Sequence, residues 1–275
     1  MTDRYAVVGN PIAHSKSPEI HAAFARQTGQ DIDYARLLAP PDGFRATVES
    51  FRNAGGKGVN VTVPFKLEAF DLADDVSQRA KDAQAANFLR FDQGRIHADN
   101  TDGVGLTRDI VRNLGLRLAG KRVLLIGAGG AAQGVLTPLL EYEPRILTIV
   151  NRTVEKALRL AETFRHKPVA AASVLSGLSF GELAGHHFDV VINATSTSLH
   201  GELPPLPADA FAAGALAYDM MYAAKPTPFL AFAAARGAKT SDGLGMLVEQ
   251  AAESFLLWRG VRPETAPVIA MLRNP

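Results

Sequence analysis

The sequence predicts an α/β protein in two parts, each built around mainly parallel strands. Three observations predict it. Short runs rich in Val and Ile alternate with longer stretches of helical periodicity, the pattern of strands separated by helices. One such run passes through a tight glycine loop straight into a helical stretch. The length, 275 residues, suits one large domain or two ordinary ones.

The elements follow in order. Residues 5–9 read as a first strand, ended by Asn10-Pro11. Residues 18–27 read as a helix with Ser17 as N-cap and Pro18 at the first helical position. Residues 58–63 read as a strand stopped by Pro64, with Val59, Val61 and Val63 on one face and Asn60 and Thr62 on the other; a half-buried strand with that polar face wet is the plainer reading. A second series begins near Asn100-Thr101-Asp102-Gly103, with a helical stretch over 106–114 and a strand over 122–126. The glycine loop and a helix follow, and Pro138 should kink that helix or end it early, because an interior proline removes a hydrogen bond. Further strands are expected at 146–150, 188–192 and 216–220, and a last helix at about 246–258.

Composition excludes several classes of function. The chain is 47% apolar and 21% charged, which is enough to bury a core. Lys plus Arg number 29 against 28 Asp plus Glu, so there is no electrostatic footprint of a nucleic-acid binder. There is no cysteine, hence no disulfide framework and no thiolate nucleophile or ligand. No basic-then-apolar leader opens the chain, and no apolar run approaches the ~20 residues of a membrane span, so a cytoplasmic protein without a membrane partner is expected. The seven histidines show no paired ligand spacing, and His186-His187 reads as a polar loop, so metal catalysis is not expected.

The loop is Gly127-Ala128-Gly129-Gly130-Ala131-Ala132, between a strand and a helix. Gly127 permits the sharp turn, Gly129 lets the backbone approach a pyrophosphate at the positive end of the helix, and Ala132 allows close helix–strand packing. The next strand runs into Val150-Asn151-Arg152-Thr153. An NAD site usually places there an acid that holds the ribose 2′-hydroxyl. Here the acid is missing and a cation follows, which favours the 2′-phosphate of NADP. A solvated charge at a strand end is the plainer reading of Arg152, and its pairing with the missing acid is what makes it informative.

Three segments outside this unit carry the remaining chemistry. In Asn10–Pro18, Ser15 and Ser17 stand at a helix start, where hydroxyls and free amides suit a carboxylate; simple capping would explain Ser17 equally well. In Gly58–Lys66, Lys66 lies just past a strand end, where a lysine is ordinarily a solvated charge. Asp99–Gly103 sits at the junction of the two series, where a turn is the ordinary reading and the border of a ligand cleft the functional one.

These motifs together resemble the shikimate dehydrogenase family. The matching stretches are Asn10–Pro18, Asn60–Lys66, Asn100–Gly103, Gly127–Ala131, Asn151–Thr153, Asn193-Ala194-Thr195 and Asp242–Gln250, in the family's order along the chain. The resemblance implies a substrate domain over 1–103, completed by the C-terminal helices of 244–275, and a Rossmann-type, doubly wound NADP domain over 104–243. It implies NADPH-dependent reduction of 3-dehydroshikimate to shikimate, with Lys66 and Asp102 as the catalytic pair. Ser15 and Ser17, helped by Tyr222, would bind the substrate carboxylate. Asn60, Thr62, Asn87, Asp102 and Gln250 would hold the ring hydroxyls. Gly127, Ala128, Gly129, Gly130 and Ala131 would line the pyrophosphate, and Asn151, Arg152, Thr153 and Lys156 would surround the adenosine phosphate. Thr195, Met220 and Gly243 would lie on the nicotinamide side. A monomer or a homodimer is expected.

Gln250 supports the resemblance from helix geometry. Leu247, Ala251, Phe255 and Trp258 form one apolar stripe, and Gln250 flanks it, so its amide should be partly buried and in want of partners. Two residues depart from the family pattern. Phe88 follows Asn87 where the family usually has threonine, and Gln84 is unusual. The competing readings are a quinate or dual quinate/shikimate dehydrogenase, a non-catalytic NADP-binding regulator, and another oxidoreductase of the same nucleotide fold. Ser17 and Arg152 weigh against the first, the presence of both Lys66 and Asp102 against the second, and the paired serines against the third.

Overall fold

The structure is a computed structural model that describes residues 2–197 and 201–274. The chain divides into two compact units, residues 1–105 with 247–275, and residues 106–246. Both are α/β, as the alternation of runs predicts.

The first unit contains β1 (Asp3–Gly9), α1 (Ser17–Thr28), β2 (Ile32–Leu38), α2 (Phe44–Asn53), β3 (Gly56–Val61), α3 (Lys66–Leu72), β4 (Asp75–Val76), α4 (Gln78–Ala83), β5 (Phe88–Asp92) and β6 (Arg95–Asp99); α5 (Asp102–Arg108) begins here. Its sheet runs β2-β1-β3-β5-β6-β4. β1 pairs parallel with β2 and β3, while β5 is antiparallel to both β3 and β6. That reversal matters for the site. β5 starts beside the end of β3, with Asn60 opposite Phe88, and β6 ends there too, with Asp99 opposite Phe88. Asn60, Asn87 and the segment after Asp99 therefore meet at one end of the sheet.

The strand of Asn60 ends earlier than its pattern suggests. β3 stops at Val61, Val63 lies off the strand and is 62% exposed, and Asn60 is buried rather than wet. The peptides before Pro11 and Pro64 are cis. Ser17 is not the N-cap of α1. Lys16 holds that position in helical conformation, because the first helical bond already runs from Ile20 N to the Lys16 carbonyl. Gln84 is the left-handed C-cap of α4, with φ of 51°. Phe88 is buried and stacks on Trp258 at 5.0 Å.

The second unit contains β7 (Arg122–Ile126), α6 (Gly130–Leu140), β8 (Ile146–Val150), α7 (Val154–Arg165), β9 (Val174–Leu178), β10 (Phe188–Asn193), β11 (Phe211–Asp219), α8 (Pro228–Ala234) and β12 (Lys239–Ser241). The sheet order is β12-β11-β10-β7-β8-β9, with every pair parallel. This is the doubly wound order of a Rossmann-type dinucleotide fold, in which ligands bind where the order reverses, here between β7 and β10. Val123 to Ile126, Leu147, Ile149, Val150 and Val190 to Ile192 are all buried, as strands covered on both faces must be. Pro138 stands in the last turn of α6, which ends two residues later at Leu140.

Helix α9 (Leu244–Arg259) and α10 (Ala266–Arg273) return the chain to the first unit. There Val248, Ala251, Ala252, Phe255 and Val268 pack with Ile20 and Phe24 of α1. α9 is buried on more than the one stripe expected of it, since Glu249, Glu253 and Ser254 are buried as well. The acids keep partners: Glu253 accepts from Arg79 at 3.0 Å and pairs with Arg262, and Glu249 accepts from Thr265 at 2.6 Å. Buried carboxylates without such partners would destabilise the fold. No helix among the described residues is long and apolar enough to cross a membrane.

Candidate active site

Lys66 is the first residue of α3, and its ammonium lies 2.5 Å from Asp102 Oδ2 at the start of α5. The side chains keep 31% and 19% of their exposure, so both are held by the protein yet reachable by a ligand. The other carboxylate oxygen, Oδ1, accepts from Asn87 Nδ2 at 2.8 Å. The Asp102 backbone amide donates to Asn100 Oδ1 at 3.1 Å, and the buried Asn100 amide donates in turn to the Ala85 carbonyl at 3.0 Å. Asp102 is therefore fixed at both oxygens and at its backbone. A half-exposed ion pair adds little to stability. Its value lies in placing a cationic N–H donor at the end of the sheet, in a defined direction.

The neighbouring polar groups form one network. Asn87 Oδ1 accepts from the Thr101 amide at 2.8 Å, and Asn87 Nδ2 reaches Gln250 Oε1 at 3.3 Å. Gln250 is half-buried and donates to the Leu247 carbonyl at 2.8 Å. Asn60 Nδ2 donates to Ser254 Oγ at 2.9 Å and to the Asn87 carbonyl at 3.2 Å. Ser15 Oγ donates to Ser17 Oγ at 3.2 Å, and two N–H groups of Arg36 hold the Ser15 carbonyl at 2.9 and 2.6 Å. Thr62 follows β3, half-buried, with its amide donating to the Val8 carbonyl at 2.9 Å.

Beneath Asn60 lies an aromatic layer. Tyr34 stacks on His21 at 4.2 Å, and Trp258 lies 5.6 Å from His21 and 4.6 Å from Tyr5. Burial pushes the His21 imidazole down to about 3, so it stays neutral. Burial likewise pushes the Tyr34 phenol well above its ordinary range, so it remains a hydrogen-bond donor. Tyr34, Arg36 and Ser254 were not singled out from sequence, and Thr101 only as part of the Asn100–Gly103 stretch. Of the first three only Ser254 left a signal, one helical turn beyond Gln250 on α9.

In the second unit, the residues expected to hold the cofactor lie just after the ends of β7, β8, β10, β11 and β12. Gly127 has a φ of 110°, and a Cβ there would stand 3.0 Å from Thr195 Cγ2, beside the end of β10. Gly129, Gly130 and Ala131 are exposed, no side chain caps the helix, and a Cβ on Gly129 or Gly130 would meet nothing within 4 Å. That open, uncapped helix start between β7 and β10 fits a pyrophosphate. Ala128 is half-buried against the core. Asn151 folds its amide onto the Thr153 carbonyl at 2.9 Å. Arg152, Thr153 and Lys156 are exposed, and neither cation makes an ion pair among the described residues. Thr195 Oγ1 donates to Asn193 Oδ1 at 2.7 Å. Met220 is 8% exposed, and Tyr222 is 36% exposed. Gly243 is buried, and a Cβ there would lie 2.2 Å from the Met220 carbonyl oxygen, so close packing on that backbone explains the glycine. Among the described residues no group of three or more His, Cys, Asp or Glu could hold a metal ion.

Comparison with known proteins bears on these arrangements. Residues 7–89 match the model of the shikimate dehydrogenase substrate binding domain, residues 109–200 that of shikimate / quinate 5-dehydrogenase, and residues 243–273 that of the shikimate 5'-dehydrogenase C-terminal domain. The chain is 63% identical over 274 residues to an Aromatoleum aromaticum protein named shikimate dehydrogenase (NADP(+)), covering 99% of this chain and 97% of that one. Among solved structures, an Ael1 enzyme from Pseudomonas putida is 50% identical with a TM-score of 0.94, covering 100% of this chain and 99% of its own. The shikimate 5-dehydrogenase of Thermus thermophilus, in complex with NADP(H) and shikimate, is 32% identical with a TM-score of 0.86, covering 99% of each chain. With identity at this level along nearly its whole length, the chain belongs to the shikimate dehydrogenase family.

Proposed function

We propose that the chain interconverts 3-dehydroshikimate and shikimate with NADP, a step in making aromatic amino acids. The observation that carries this reading is the Lys66–Asp102 pair at 2.5 Å, set among side-chain amides and hydroxyls at one end of the first sheet. Reducing a ketone needs hydride at carbon and a proton at oxygen, and NADPH, when bound, supplies the hydride. Lys66 gives the proton from its ammonium to the carbonyl oxygen and takes it back in the reverse direction. Asp102 aims the lysine and accepts from the reacting hydroxyl, which keeps donor and acceptor in register.

Ser15 and Ser17, with Tyr222, hold the substrate carboxylate, and Asn60, Thr62, Asn87 and Gln250 hold ring hydroxyls. The first unit is the substrate domain in this reading, and the second holds NADP. Gly127, Ala128, Gly129, Gly130 and Ala131 cradle its pyrophosphate. Asn151, Arg152, Thr153 and Lys156 meet its 2′-phosphate end, and Thr195, Met220 and Gly243 line the nicotinamide side. The two exposed cations beside β8, without an ion pair among the described residues, support NADP over NAD, since a doubly charged phosphate gains charge-assisted bonds there. A cysteine-free chain accords with a cytoplasmic setting. The enzyme acts as a monomer or homodimer, which sedimentation distinguishes.

The test is to mix purified protein with shikimate or quinate and with NADP or NAD, and to follow reduced nicotinamide by absorbance. Fast reduction confined to shikimate with NADP is the expected result. Turnover mainly with quinate or with NAD would overturn the substrate or the cofactor assignment. NADP binding without turnover would point to a regulator.

A further inference from the structure

Asn60 is buried to 6% exposure, and every donor it owns is already spent. The Asn87 carbonyl can only accept, so the Asn60 nitrogen must face it, at 3.2 Å. The second proton of that nitrogen goes to Ser254 Oγ at 2.9 Å. Ser254 is fully buried on α9 and can take that bond, because its own proton goes to the Gln250 carbonyl at 3.1 Å. On the other side of the amide, the Tyr34 phenol donates to Asn60 Oδ1 at 2.8 Å. Its ring is fixed by the stack on His21, with planes within 7°. What remains of Asn60 is acceptor capacity on Oδ1, beside the His21 ring, and a group that meets it must donate.

We propose that Tyr34 and Ser254 are positioning residues that clamp the Asn60 amide from its two ends, so that it presents only an acceptor and selects a hydroxyl over a keto group at the ring carbon it faces. This rests on the reading above that Asn60 meets a ring hydroxyl. It adds a reason why the substrate must carry that carbon at the alcohol level, since a carbonyl there would set two acceptors against each other. Neither residue touches the reacting atoms.

The experiment uses the full chain carrying Tyr34→Phe, which keeps the stacked ring, and separately Ser254→Ala. Each is assayed for kcat and KM with shikimate and with its 4-deoxy and 5-deoxy analogues, beside Asn60→Ala. The expected result is a rise in the KM for shikimate of about 3- to 10-fold for each clamp variant. The kcat should stay within about two-fold and the KM for NADP should not move, and the rise should disappear with whichever deoxy analogue lacks the hydroxyl that Asn60 meets. Should Asn60→Ala raise that KM while Tyr34→Phe and Ser254→Ala leave it unchanged, the clamp is overturned and the reading of Asn60 stands. An unchanged KM in Asn60→Ala itself would overturn that reading, and the clamp with it. If Tyr34→Phe fails to fold, Ser254→Ala decides the matter alone.

Discussion

Arg152 follows β8 at the place where an acid would hold an unphosphorylated ribose. Its guanidinium is exposed and makes no ion pair among the described residues, so no described carboxylate competes for it. A charge-assisted bond of this kind contributes about 1.5–3 kcal/mol. Arg152→Ser should therefore raise the KM for NADP by roughly 10- to 100-fold and leave that for NAD little changed. A variant that kept its NADP preference would remove Arg152 from the phosphate site. His21 sets a second expectation at this scale. It titrates at an ordinary 6.5 when unfolded and at about 3 when folded, because burial disfavours its cation. Its contribution is fully present above pH 6.5 and is lost as the pH falls from there toward 3, at up to about 1.4 kcal/mol per pH unit. His21→Phe should flatten the fall of unfolding free energy between pH 6.5 and 4.5 by one proton, measured by urea titration at several pH values. An unaltered slope would show that His21 does not stay neutral in the folded chain. Lys66, Asp102 and Arg152 were legible because each sits within a few residues of a strand end or a turn that the sequence marks. Tyr34 and Ser254 were not, because their partner Asn60 lies 26 and 194 residues away. No local pattern encodes such a meeting.

Among the elements, the start of α6 and the start of α9 use glycine for different reasons, and one substitution separates them. At Gly129 a Cβ meets nothing and φ is −93°, so Gly129→Ala should fold with an unchanged melting temperature. It should still weaken NADP binding several-fold, since the methyl occupies the backbone approach that the pyrophosphate needs. At Gly243 a Cβ would lie 2.2 Å from the Met220 carbonyl oxygen, a clash with backbone rather than with a movable side chain. Gly243→Ala should then cost about 1–3 kcal/mol, visible as a fall in melting temperature of several degrees. Equal melting temperatures for the two variants would contradict this division. The strand–loop–helix around Gly127 was readable because its apolar run and its glycines are contiguous. The edge strand β2 was missed because IDYARLL mixes charges with apolar residues, as a strand exposed along one side does. The hairpin of β5 and β6 was missed because its two-residue turn is Gln93-Gly94, with φ of 47° and 78°. Those angles belong to a turn usually signalled by Asn-Gly or Asp-Gly. The burial of α9 beyond one stripe is not legible because Glu249 and Glu253 look like surface residues until Arg79, Arg262 and Thr265 are seen beside them.

On the scale of the whole molecule, the chain builds one unit from its two ends and the other from its middle. In the middle unit β7, β8, β10 and the end of β11 follow from the sequence, since each is a short buried apolar run, while β9 and β12 do not, being partly exposed and, in β12, polar. The outer unit is harder to read, because α9 completes it from residues nearly 200 positions after β3 and delivers Gln250 and Ser254 to the network around Asn60, Asn87 and Asp102. The proposed role of this network is to place one proton donor, Lys66. It is tested most directly by the steady-state oxidation of shikimate with NADP by Lys66→Met, beside calorimetric binding of shikimate to the same variant. A kcat lower by about 10²- to 10⁴-fold, with shikimate still binding within several-fold of the parent, is the predicted result. A kcat close to that of the parent would contradict the claim and place the proton transfer on another group.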